Sequence, residues 1–105
     1  MDLNETSKRS QAIRRRYHEL ELTHHGSHWS VEEDALAFLT DAGLVGRLVM
    51  AQQERWPDSS GESLESKIGE CVWWLAVLAE RTGLDLEECV EGFLASKERQ
   101  LGLSS

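Results

Sequence analysis

Apolar residues recur every three or four positions along most of the chain, which is the spacing of one face of an α-helix. The clearest runs are Leu36, Leu39, Leu44, Leu48 and Val49 in one segment and Leu64, Ile68, Val72, Leu75 and Leu78 in another. The pattern predicts four helices, over about residues 8–23, 31–54, 62–82 and 85–101. Strands over 44–50 and 71–78 are the weaker alternative, because each run lies inside a longer helical pattern without flanking turns.

Local signals mark the ends of these helices. Ser30 and Glu33 form a capping-box pattern at the start of the second helix. Gly83 stands where a left-handed glycine would end the third. Residues 1–7 are polar and are expected to be disordered. The sequence therefore predicts an all-α, four-helix bundle with two long central helices, in a single domain over residues 8–102.

The adjacent tryptophans Trp73 and Trp74 lie on the third helix, about 100° apart around its axis. They cannot both face the same neighbour, so one is expected in the core of this chain. The other needs a second apolar partner, which is either a subunit interface or the underside of the first helix. The pair is thus one reason to expect self-association.

Charge and composition narrow the class of partner. The chain of 105 residues has 19 acidic and 11 basic side chains and a formal net charge of −8, which argues against DNA or RNA binding. The longest apolar run, nine residues over 71–79, is too short to cross a bilayer. The N-terminus lacks the apolar segment of a secretory signal. We expect a cytoplasmic protein that does not bind membranes.

The cysteines and histidines offer little chemistry. Cys71 and Cys89 lie in apolar helical patterns without a CxxC motif, which is typical of buried thiols in a reducing compartment. His24, His25 and His28 could bind Zn²⁺, but nothing nearby completes a ligand set, so a solvated loop is favoured. There is no Walker loop, GxGxxG motif or glycine elbow around a serine. No residue is assigned a catalytic role.

Two carboxylates are the candidate metal ligands. Asp41 and Glu70 border the apolar faces of the two central helices and could face each other across a groove. Inward acids of this kind hold metal ions in many helical bundles, where each helix usually supplies two ligands. The expected second ligands are missing, because position 44 is Leu44 and position 67 is Lys67.

Six segments in order along the chain carry a family resemblance. They are Tyr17–Glu21, Trp29–Glu33, Asp41–Val45, Leu48–Ala51, Lys67–Leu75 and Ala79–Glu88. Together they resemble the MazG-like all-α nucleoside triphosphate pyrophosphohydrolase superfamily over about residues 12–101. The segments KIGECVWWL and AERTGLDLEE are the most specific. The resemblance implies a homodimer or homotetramer, a nucleotide ligand and a site beside a subunit interface.

The resemblance also implies four carboxylates, ExxE on one helix and ExxD on the next, that hold Mg²⁺. The metal ions would activate water and neutralise phosphoryl charge. This chain departs from the pattern, with Asp41…Leu44 and Lys67…Glu70 in place of the two pairs. The change amounts to three charge units, so Mg²⁺ is expected to bind weakly or not at all. Lys67 either replaces a metal against phosphate or pairs with Asp41 or Glu70.

Trp29 opens the second helix and is a candidate for stacking on a nucleobase, or alternatively a hydrophobic staple at the helix start.

Three functions remain open. The first is a MazG-like protein with impaired or lost pyrophosphohydrolase activity that binds nucleotides or assembles. The second is an active Mg²⁺-dependent enzyme with a rearranged site. The third is an unrelated helical interaction domain.

Overall fold

Four α-helices make up the architecture, as the sequence predicts. The computed structural model describes residues 1–103, and no strand occurs among them. The helices are α1 (Leu3–His25), α2 (Val31–Gln52), α3 (Leu64–Arg81) and α4 (Leu86–Gln100). α3 packs against each of the other three, and α1 also packs against α4. None of the described helices is both long enough and apolar enough to span a membrane.

The expectation of disorder over residues 1–7 differs from the structure, in which α1 already begins at Leu3. The Asp2 carboxylate accepts a hydrogen bond from the backbone N–H of Glu5 at 2.8 Å, which is an N-cap contact. Leu3 packs against the small apolar cluster of Ala76, Ala79 and Leu86. The polar N-terminal stretch is therefore helical because it carries its own cap and an apolar anchor.

The predicted boundary signals of α2 and α3 are confirmed. Ser30 and Glu33 exchange both capping-box hydrogen bonds, at 3.1 and 2.9 Å. After α3, Gly83 adopts a left-handed φ of 78°, and the Leu84 N–H reaches the Ala79 carbonyl oxygen at 2.8 Å. This pattern is a Schellman motif, which a glycine enters without steric cost.

The buried core is centred on α3, which contacts the other three helices. Its apolar members are Leu48, Trp74, Ala76, Val77, Ala79 and Leu86. Several positions on the predicted apolar faces lie outside it: Leu36 and Leu39 on α2, Ile68 and Leu75 on α3, and Phe93 on α4 are all exposed. A helical period identifies an apolar face but not which neighbour covers it, and within this chain those faces stay uncovered.

The chain is less compact than usual for its length, in keeping with this small core. The accessible surface is 7663 Å², whereas a folded monomer of 11.9 kDa is expected to expose about 6,000 Å². The radius of gyration is 16.6 Å, against about 13 Å for an ordinary domain of this length. A single copy thus leaves about 1,700 Å² more surface in water than its mass predicts.

Candidate functional site

The Lys67 cluster consists of Asp41, Glu62, Lys67 and Glu70, and lies between α2 and α3. The Lys67 side chain is largely buried. Its ammonium Nζ donates hydrogen bonds to Glu70 Oε1 at 2.8 Å and to Asp41 Oδ1 at 3.2 Å. Glu62 Oε2 lies 3.4 Å from the same nitrogen. The ammonium group therefore stands among three carboxylates.

Both predicted metal-ligand candidates thus meet at one point, and the point is occupied by a lysine. Glu70 and Lys67 are three residues apart on α3, so their side chains share one face of that helix. The second Asp41 oxygen, Oδ2, accepts a hydrogen bond from Trp74 Nε1 at 2.8 Å. Both oxygens of Asp41 are consequently engaged.

The electrostatics of the cluster keep Lys67 charged. The hydrogen bond to Glu70 is the main cause that raises the pKa of Lys67 above its usual value, with a smaller contribution from Asp41 and with burial opposing both. A protonated ammonium donates to carboxylates and cannot ligate a cation. Of the two interpretations of Lys67, the structure shows the pairing with Asp41 and Glu70.

A divalent metal does not fit this donor set. Over residues 1–103, no three or more histidine, cysteine, aspartate or glutamate side chains are grouped so that they could hold a metal ion. Mg²⁺ requires oxygen ligands in octahedral geometry. Here the carboxylates converge on Lys67, and Leu44 provides no donor atom. No catalytic step is therefore derived through a metal.

An aromatic pocket of about 240 Å³ adjoins the Lys67 cluster through Glu70. Its lining residues are Arg14, Tyr17, Glu21, Trp29, Glu70, Trp73 and Trp74. The rings of Trp29 and Trp74 are nearly parallel, with an interplanar angle of 5° and centroids 6.4 Å apart. Trp73 lies at 57° to Trp74, with centroids 4.5 Å apart. The pocket presents flat apolar faces bordered by charged groups.

Trp29 is held by its backbone as well as by its ring. The Trp29 N–H donates to Glu21 Oε1 at 2.8 Å, and the Trp29 carbonyl accepts from Arg81 Nη1 at 3.0 Å. The hydrophobic staple does not form, because the position in α2 that would pack against Trp29 is Asp34. Trp29 stacks on Trp74 instead, with 42% of the residue exposed.

Trp73 and Trp74 contact different neighbours, as the 100° rotation between them around α3 requires. Trp74 is buried in the core. Trp73 lies against the first helix, where its Nε1 donates to the Ser10 carbonyl at 3.3 Å and its ring meets Tyr17 edge to face at 6.0 Å. Of the two partners considered for the outer tryptophan, the underside of α1 is the observed one.

A buried ionic network supports the aromatic pocket, and sequence reasoning missed it. Asp34 is 0% exposed and accepts from Arg14 Nη2 at 2.9 Å, from Arg14 Nε at 3.4 Å and from Arg81 Nη1 at 2.7 Å. Arg14 Nη1 also donates to Glu21 at 2.9 Å. Arg14 itself is only 4% exposed.

A signal for this network exists in the sequence. Ser10, Arg14, Tyr17 and Glu21 recur at intervals of four, three and four, so one polar stripe of α1 faces the bundle. Burial alone would raise the pKa of Glu21, but hydrogen bonds from Arg14 and from the Trp29 N–H outweigh it and lower that pKa. Glu21 is thus held in its charged form.

The histidines and cysteines do not form a site of their own. His24, His25 and His28 are exposed, but His24 and His25 lie in the last turn of α1 rather than in the predicted loop. Cys71 is half-buried, and burial raises the pKa of its thiol, with Asp41 and Glu70 adding to the effect. Cys89, expected to be buried, is exposed, because α4 presents that side to solvent.

Comparison with protein-family models, with curated proteins and with solved structures finds no match to this chain.

Proposed function

We propose that this protein is a MazG-like helical module that binds nucleotides and lacks efficient Mg²⁺-dependent pyrophosphohydrolase activity. The observation that carries the proposal is the Lys67 ammonium, hydrogen-bonded to the two acids that the resemblance assigns to metal. A metal could enter only by displacing a largely buried ammonium from its carboxylates. That exchange leaves a buried cation without partners, which costs several kcal/mol.

The aromatic pocket is the proposed nucleotide-binding surface. Trp29 offers a partly exposed ring that is backed by its stacking on the buried Trp74. Stacking of a base on an aromatic side chain is worth about 1–3 kcal/mol. Trp29 is accessible to a ligand, because 42% of it is exposed. Its position is fixed by the Glu21 and Arg81 hydrogen bonds to its backbone, so little ordering is needed when a ligand binds.

The decisive experiment measures Mg²⁺-dependent pyrophosphate release over a panel of standard and damaged nucleoside triphosphates. We expect no release above background and, in parallel titrations, saturable quenching of tryptophan fluorescence by at least one nucleotide. Trp29→Phe should weaken that quenching, whereas Trp56→Phe, on an exposed loop away from the pocket, should not. Sustained Mg²⁺-dependent turnover would contradict the proposal and establish the active enzyme with a rearranged site.

A second copy of the chain is the proposed partner for the uncovered apolar faces. The excess of about 1,700 Å² per chain would bury about 3,400 Å² in a dimer, which lies in the range of obligate dimers. The exposed residues Leu36, Leu39, Ile68 and Leu75 supply its apolar content. We expect a homodimer or homotetramer in sedimentation, and a pure monomer at tens of micromolar would contradict this.

The two parts of the proposal separate experimentally. A chain that self-associates but shows no tryptophan response to any nucleotide would be an assembly module, as in an unrelated helical interaction domain. A chain that binds nucleotides in the aromatic pocket without turnover would be the binding module proposed here.

A further inference from the structure

A second pocket lies in the groove between α1 and α3, next to the aromatic pocket and sharing Arg14 with it. It has a volume of about 250 Å³ and is lined by Gln11, Arg14, Arg15, His18, Glu80 and Arg81. We call it the basic pocket. Three guanidinium groups and an imidazole face a single carboxylate there, in a chain whose net charge is −8.

Several hydrogen-bond donors of the basic pocket are uncommitted. Arg81 uses only Nη1, for Asp34 and the Trp29 carbonyl, and its Nε and Nη2 donate to nothing within residues 1–103. Over the same residues, the Arg15 side chain makes no hydrogen bond. His18 Nε2 is buried and has no hydrogen-bond partner in the described part of the chain. Buried polar atoms are usually paired, so this nitrogen points to a missing partner.

We propose that the basic pocket binds a small oxyanion of the phosphate class. Arg15 and Arg81 supply charge-assisted donors, and His18 adds a third when it is protonated, which is the chemistry that suits tetrahedral oxyanions. Lys67 is a poor alternative, because its three carboxylates repel an anion.

Protonation of His18 is linked to this binding. Burial lowers the pKa of His18, and the positive charges of Arg14 and Arg81, followed by His28, lower it further, while Glu21 opposes them. Glu80 lines the same pocket, and Asp34 contacts both arginines. An added anion counters the positive groups, so it raises the pKa of His18. Affinity should therefore increase as pH falls toward that pKa.

The test follows the His18 ring by NMR during titration with inorganic phosphate and with sulfate at constant ionic strength. Sulfate keeps its charge across the pH range, so its pH dependence reports the protein alone. We expect saturable shifts and a raised His18 pKa. Absence of saturable His18 shifts with either anion would overturn the proposal.

Two exposed arginines provide matched variants. Arg15→Gln should weaken sulfate binding by up to about fivefold, the effect of losing an exposed ion pair. Arg16→Gln, whose guanidinium pairs with Glu19 outside the pocket, should leave it unchanged. Equal effects of the two variants would mean nonspecific attraction and would overturn the site. His18→Gln should abolish the increase of sulfate affinity at low pH, and retention of that increase would contradict the role of His18.

A nucleoside monophosphate distinguishes the source of the oxyanion. If it shifts His18 and also quenches tryptophan fluorescence, the basic pocket takes the phosphate of a nucleotide whose base lies in the aromatic pocket. If inorganic anions shift His18 and the nucleotide does not, the pocket takes a free anion. Both results support the site. A failure of the nucleotide proposal appears in tryptophan fluorescence, whereas a failure of this one appears at His18.

Discussion

Replacing Asp34 by asparagine removes the negative charge at the centre of the buried ionic network while keeping the shape of the side chain. Asp34 is 0% exposed and accepts hydrogen bonds from both Arg14 and Arg81. An asparagine amide offers one oxygen and directs its NH₂ group at guanidinium donors. Arg14, which is 4% exposed, would then hold a buried charge balanced by Glu21 alone.

The expected cost follows from that uncompensated charge. Breaking a buried ion pair by removing one partner costs about 3–5 kcal/mol, whereas the whole domain is stable by about 5–15 kcal/mol. Since each kcal/mol lowers the melting temperature of a small domain by about 4–8 °C, Asp34→Asn should melt at least about 12 °C lower. A partly unfolded population at room temperature would be consistent with the upper end of this range.

The assay is urea unfolding followed by tryptophan fluorescence and circular dichroism. It is done at one fixed protein concentration, because the proposed self-association would contribute to stability. Glu32→Gln is the matched control, since Glu32 is exposed in the same first turn of α2. Its loss should cost less than about 1 kcal/mol. If Asp34→Asn costs no more than this control, the network does not stabilise the fold as argued here.

Three further predictions concern metal, pH and assembly. The double variant Leu44→Glu, Lys67→Glu should bind Mn²⁺ more tightly than the wild type. Without metal it should be less stable than the wild type, because four clustered carboxylates repel one another. Calorimetry that detects no Mn²⁺ binding to the folded variant would contradict the alignment of the two helices. The folded-state pKa of His18 lies below 6.5, so the unfolded chain binds more protons and stability is lost as pH falls from 6.5 through that pKa. His18→Gln should reduce this pH dependence of the free energy of unfolding, measured between neutral and mildly acidic pH. An unchanged slope would mean that another group causes it. Leu39→Glu, at a position 65% exposed on α2, should lower the sedimentation coefficient, whereas Leu22→Glu on α1 should not, and equal effects would place the interface elsewhere.

Local signals explain why the helices were predictable. Ser30, Glu33 and Gly83 act within a few residues of their own positions, so their effect is readable in the sequence. The predicted start of the first helix was wrong because Leu3 packs against the cluster of Ala76, Ala79 and Leu86, which is far from it in the sequence. No local pattern records such a contact.

The site was predictable in part. The resemblance drew attention to Asp41, Lys67 and Glu70, which do meet. Glu62, predicted as the first residue of the third helix, lies before α3, and no local pattern places it beside Lys67. The pairing of Arg14 with Asp34 joins residues 20 positions apart. A charged residue on a helix is usually assigned to solvent, and only the tertiary arrangement shows that these two compensate each other.

The two ends of α1 belong to different parts of the structure. Near its start, Leu3 joins the apolar cluster that includes Leu86 and Val90 of α4, whereas Arg14 and Glu21 tie its second half to α2 and the loop before it. Backbone amides near Leu3 should therefore exchange with deuterium together with those of α4, through a local opening. Amides beyond Arg14 should exchange only with α2 and α3, so a single continuous helix would span two cooperative units.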